Sequence, residues 1–209
     1  MVTIAILIIT CAVSLIFMRN MEFKGKHMFN AYAIQHNREW HRFISGGFLH
    51  ANEMHLLVNM MTLYFFGPHV EKVYCSEALF GERWGSFMFA LMYISAIIIS
   101  SLYSFFKHRN NPHYNALGAS GAVSAVLYSA LLFFPMQTIY LFFAIPVNFA
   151  LYGVIYLVYS NYMSRKGTDN IGHDAHFWGA VYGFIFPVIF NPQLAVNFVR
   201  KIAAFFTGL

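Results

Sequence analysis

Ser120 lies in the string Gly118-Ala119-Ser120-Gly121, a hydroxyl framed by glycine at the head of an apolar run. Serine is a weak nucleophile at its own pKa and becomes effective when a neutral imidazole beside it takes its proton. His176 offers such a ring. It opens a second apolar run in which Gly179 and Gly183 form a small-xxx-small face that admits a neighbouring helix. A third run begins with His55 and Asn59, four residues apart and therefore on one helix face, with His50 shortly before. An imidazole, an amide and the free backbone N–H groups of a helix start are the donors that an oxyanion needs. The chemistry so specified is acyl transfer. Ser120 is the nucleophile and His176 the base, with active-site support from His55, Asn59, Gly118 and His50, while Gly121, Gly179 and Gly183 serve helix packing. Singly these residues are ordinary, because Ser and Gly are common packing residues in membrane helices and a lone His there more often makes a structural hydrogen bond. Their conjunction at the heads of three separate runs is what points to catalysis.

The elements that must position them follow from composition. Of the 209 residues, 59% are hydrophobic, 19% aromatic and 10% charged, against roughly a quarter charged in a soluble domain. Such a chain reads as a membrane protein. No linker or low-complexity tract divides it, so a single domain over residues 1–209 is expected. A crossing needs roughly 20 apolar helical residues, and six candidates emerge: Val2 to Met18, Met54 to Tyr74, Arg83 to Phe106, Gly118 to Phe134, Pro146 to Met163 and His176 to Phe190. The fourth is short for a full crossing. In the fifth, Pro146 is placed at the first helical position, after a β-branched and aromatic approach from Thr138 to Ile145. Leu194, Phe198, Ile202, Phe205 and Leu209 then recur at helical spacing around Arg200 and Lys201, a pattern suited to a C-terminal interfacial helix. The long first loop, Arg19 to Glu53, carries Trp40 and Phe43 and is read as partly embedded in lipid. Glu71 falls at the far end of the second run from Asn59 and is read as a structural anchor. The formal charge of +5 is scattered among loops, which suits a membrane surface and not nucleic acid. Cys11 and Cys75 are read as packing residues. The N-terminal run lacks a basic n-region and a small-residue cleavage site and is read as a retained span.

These residues resemble the rhomboid family of intramembrane serine proteases. The likeness rests on Trp40-x-Arg42, His50, His55, Asn59, the stretch from Gly67 to Glu71, Gly118-Ala119-Ser120-Gly121, Ile145-Pro146, and Ala175-His176 followed by Gly179 and Gly183. It implies an all-α bundle of six transmembrane helices and a Ser120/His176 dyad opening into a water-filled cavity. An oxyanion hole including His55 and Asn59, and neither metal nor cofactor, belong to the same picture. The implied substrates are transmembrane segments of other proteins, cut next to small residues where the helix unwinds easily, and the implied setting is a lipid bilayer, read here as a prokaryotic inner membrane. Two features depart from the family pattern. Some members carry, four residues after the serine, an aromatic that stacks on the catalytic imidazole, but here that place is Ser124, so ring positioning must come from elsewhere. Asp174, two residues before His176, would project about 200° away from it on a helix, so a dyad is expected in place of a triad.

Two other readings compete. A metal-dependent hydrolase would draw on His50, His55, His173, Asp174 and His176, but no His-Glu-x-x-His helix is present and the framed serine would go unexplained. A catalytically silent rhomboid-like protein that binds transmembrane helices is the alternative function, although such proteins typically lack the serine or the histidine. Orientation sets a conflict. The family arrangement puts both termini in the cytoplasm, leaving nine Lys and Arg (Arg19, Lys24, Lys26, Arg38, Arg42, Lys107, Arg109, Arg165 and Lys166) outside and four (Lys72, Arg83, Arg200 and Lys201) inside, against the positive-inside rule. The family arrangement is kept because the first loop is read as embedded.

Overall fold

The computed structural model describes residues 1–141, 144–166 and 171–207. Six principal helices occupy the six apolar runs: α1 (Val2–Phe17), α5 (Glu53–Tyr74), α6 (Gly81–His108), α7 (Ser120–Phe133), α8 (Phe149–Lys166) and α9 (His173–Phe190). The first loop is folded, with short helices α2 (Met21–His27), α3 (Ala31–Asn37) and α4 (Arg42–Ser45). A last helix, α10 (Gln193–Thr207), leaves the bundle at 116° to α9. By length and apolarity alone, among the described residues, α6 is a full crossing and α9 with α10 passes only as a bent pair. Polar residues at the head of α9 (His173, Asp174, His176) and at both ends of α5 (Glu53, His55, His69, Glu71, Lys72) lower the apolarity of those helices.

Helix α7 is the axis of the bundle, and every residue from Gly121 to Phe133 is buried. Apolar burial contributes little to helix association inside lipid, so close backbone approach and interhelical hydrogen bonds carry it. Both are present. Gly179 lies on the backbone of Gly121 and Gly183 on that of Ala125, so α7 and α9 run parallel in a fixed register with no side chain between them. Ser129 Oγ donates to the Gly183 carbonyl at 2.6 Å, and Ser95 of α6 pairs with the Tyr182 hydroxyl of α9 at 2.6 Å.

Glu71 ties the opposite end. Its carboxylate accepts the Val2 and Thr3 N–H groups at 2.7 and 2.9 Å, the Thr3 hydroxyl at 2.7 Å and the Ser86 hydroxyl at 3.0 Å. The last turn of α5 thereby caps the start of α1 and joins it to α6. Nearby, Lys201 of α10 donates to the Phe133 carbonyl at 2.7 Å, placing a cation at the C-terminus of α7.

Two antiparallel ribbons complete the fold. Strand β1 (Phe29–Asn30) in the first loop pairs with β2 (Asn115–Ala116) just before α7, and β3 (Thr138–Leu141) pairs with β4 (Ile145–Asn148) between α7 and α8. The second ribbon corrects the expectation for Pro146, which sits in β4 opposite Tyr140 and not at a helix start. In a two-stranded ribbon each strand has a free edge, so a residue without an N–H is tolerated. The helix begins three residues later, where the Asn148 side chain accepts the Leu151 N–H at 3.2 Å.

Candidate active site

The three heads singled out by sequence converge at one end of the bundle. Ser120 is the first residue of α7, and the chain reaches it through Gly118, whose φ of 118° is a conformation that L side chains rarely adopt. Space makes the same demand, because a methyl on Gly118 would lie 2.6 Å from Cε1 of His55. The His55 ring therefore lies directly on the backbone that leads into the serine.

The approach to Ser120 is held from the first loop. Gly118 N–H donates to the Gly46 carbonyl at 3.0 Å, and Ala119 N–H points to Nε2 of His50 at 3.4 Å. Ser14 of α1 stands on the other side of that ring, 2.8 Å from Nδ1 and 2.8 Å from the Phe48 carbonyl. A carbonyl only accepts, so the single Ser14 proton goes to Phe48 and the serine oxygen must accept from His50 Nδ1–H. His50 is thus neutral, with Nε2 free to accept. Burial, with the neighbouring His55 ring 5.0 Å away, pushes its pKa from 6.5 down to about 3. His50 is in this way a scaffold for the loop before the nucleophile, one layer behind the reacting groups.

His176 lies one turn before Gly179 on the face of α9 that meets α7, and the Ala175 carbonyl would be 3.4 Å from a methyl on Gly121. Residues 120–121 and 175–176 are therefore brought side by side. Tyr156 of α8 links them further, since its hydroxyl is 2.7 Å from Ser124 Oγ, one turn below Ser120, while its ring stacks on His176 with centroids 6.2 Å apart. Ser120, His55 and His176 are half-buried, so the site is open to a substrate.

Donors for an oxyanion gather at the same place. The first N–H groups of α7 have no partner within the helix. Asn59 is buried and commits one amide proton to the His55 carbonyl at 2.9 Å, leaving its second. Asp174 faces away from this chemistry. Its carboxylate accepts the Ser104 hydroxyl on one oxygen and the Ala175 N–H at 2.9 Å on the other. Among the described residues, no group of three or more His, Cys, Asp and Glu is gathered as for a metal ion.

Depth is set by unequal helix lengths. Gly121 packs on Ser100 of α6, and α6 continues for two more turns to His108, about 12 Å at 1.5 Å per residue. The serine therefore sits well below that end of the bundle. Sequence reasoning did not identify Ser14, Ser100 or Tyr156 as parts of this assembly. Ser14 and Ser100 carried a signal, being hydroxyls within apolar runs, whereas Tyr156 had none in so aromatic a segment.

A family model described as the Rhomboid domain matches residues 37–193. The chain is 30% identical over 152 residues to RHOMBOID-like protein 12, mitochondrial, of Arabidopsis thaliana, covering 69% of this chain and 45% of that protein. It is 31% identical over 147 residues to Rhomboid protease GluP of Bacillus subtilis (strain 168), covering 70% of this chain and 25% of that protein. The chain thus spans less than half the length of these relatives.

Proposed function

The chain belongs to the rhomboid family, an integral-membrane family that includes serine proteases, and on that premise we propose that it is an intramembrane serine endopeptidase working through a Ser120/His176 dyad. The observation that carries the reading is the backbone contact of Gly121 with Gly179, which sets the nucleophile's helix against the base's helix with only hydrogen atoms between. Ser120 Oγ attacks a substrate carbonyl carbon as its proton passes to His176. The oxyanion is met by the Ser120 N–H, the free Asn59 amide proton and the His55 ring. Collapse gives an acyl-enzyme, and His176 returns the proton to the departing amine. Water entering from the open end of the bundle then releases the acid by the reverse proton path. Asp174, occupied by Ser104 and Ala175, takes no part.

All six principal helices cross the bilayer in this reading, and the shortness of α7, 14 residues, is what sinks the serine below the surface while leaving a polar entry above it. The exposed Trp40 and Ile44 of the first loop dip into lipid, and α10 lies along the opposite interface. Substrates are transmembrane segments of other proteins. A helix hides its carbonyls in hydrogen bonds, so segments that unwind locally are preferred. The host we propose is a prokaryotic inner membrane, supported by the B. subtilis relative, though the mitochondrial plant relative extends the kinship beyond prokaryotes.

The test is cleavage of a single-span model protein in liposomes by wild type and by folded Ser120→Ala and His176→Ala variants. Each variant is expected to lose at least ~10³-fold in rate. Cleavage persisting in either would remove the dyad, and an inert wild type would favour a helix-binding rhomboid-like protein without catalysis.

A further inference from the structure

We propose that Tyr156 of α8 is the residue that positions the His176 imidazole, its ring held in place by Ser124; this rests on the reading of His176 as the base. A base that must receive a proton from one oxygen and return it to one nitrogen works only if its ring is held in a single orientation. The neighbouring carboxylate does not hold it, because Asp174 is bound to Ser104 and to the Ala175 N–H. Two rings lie against His176. Tyr156 lies near-parallel to it at 25° with centroids 6.2 Å apart, and His173 meets it edge-on at 79° and 5.7 Å. Both distances are within the range of favourable ring pairs.

The tyrosine is itself fixed at its far end. Its hydroxyl lies 2.7 Å from Ser124 Oγ, and its ring is flanked by Tyr128 and Tyr152 with centroids 5.8 Å away in each case. The residue one turn below the nucleophile, Ser124, thus anchors a ring supplied by another helix. Because this ring is carried by α8, which buries only Phe149, Gly153 and Ser160, displacement of α8 would unstack the base. Competence of the dyad and the position of α8 become one variable.

The experiment measures kcat and KM for a fluorescein-labelled single-span protein in liposomes, with the Tm of each variant. Tyr156→Leu is expected to lower kcat about 10- to 100-fold with KM within about twofold, and Tyr156→Phe, which keeps the ring but loses its bond to Ser124, to be faster than Tyr156→Leu and about as slow as Ser124→Ala. Ser124→Ala, which frees the hydroxyl, is expected to lower kcat by about 3- to 10-fold and serves alone should Tyr156→Leu not fold. An unchanged kcat in Tyr156→Leu or in Ser124→Ala, or a Tyr156→Phe variant as slow as Tyr156→Leu, overturns the positioning role. If Ser120→Ala and His176→Ala are inactive in the same assay, that result leaves the dyad intact; if those two still cleave, it is the functional reading that fails.

Discussion

His50 shows how a single residue constrains both the site and the stability of the molecule. Its ring bridges Ser14 on α1 and the Ala119 N–H before the nucleophile, which requires the neutral form. The folded-state pKa of about 3 lies below the ordinary 6.5, so between those values the unfolded chain binds a proton that the native state refuses. Stability is therefore flat above pH 6.5 and falls as pH drops toward 3, by up to ~1.4 kcal/mol per pH unit for this one group. Thermal melts in detergent should show Tm declining below pH 6.5, with a shallower decline in His50→Gln; an equal slope in both would show that another group dominates. At this scale the sequence showed which polar residues, Ser120, His176, His55 and Asn59, lie in the opening turns of apolar helices, and the structure brings those turns together at one end of the bundle. It was silent where the partner comes from a distant segment. Nothing local marks Tyr156 as the companion of His176, or Ser14 as that of His50, because their roles exist only once the helices are packed.

The helices themselves were legible as apolar runs, since six stretches between polar breaks became the six principal helices within a few residues. Glu71 was also legible, because a carboxylate near the end of an apolar helix asks for donors, and the structure supplies four of them. Replacing it by glutamine puts an NH2 group against donors. The expected cost is about 1–3 kcal/mol, read as a lowered Tm and faster proteolysis at α1, with cleavage by the remaining folded protein little changed. A Tm equal to wild type would show that the start of α1 is held by packing alone. Pro146 was misplaced for an instructive reason. Proline is equally at home at the first turn of a helix and in an edge strand, and the Asn148 cap that decides between them reads as an ordinary loop residue. The short ribbons were otherwise invisible, because strands of two to four residues carry no usable alternation.

For the whole molecule, the conflict over orientation narrows without reversing, from nine cations against four to seven against four. Two of the nine cations assigned to the outside are folded into the first loop. Lys24 is buried beneath the Met18 and Ala51 carbonyls at 3.4 and 3.5 Å, and Arg42 is spent on Glu39 and on the Gly25 and Met28 carbonyls. Such charges weigh less against the family arrangement than free loop charges do, and the remaining seven still oppose it. An impermeant maleimide on intact cells should label cysteines placed at Lys26 and Lys166; labelling only after lysis would invert the molecule. The proposed chemistry depends on one atom, Ser120 Oγ, being activated by His176. The most direct measurement is intact mass and peptide mapping after reaction with a fluorophosphonate, which forms a stable bond only with an activated serine. A single adduct on Ser120 is expected, absent in Ser120→Ala and strongly slowed in His176→Ala. An adduct on another residue, or one that forms at an undiminished rate without His176, would contradict it.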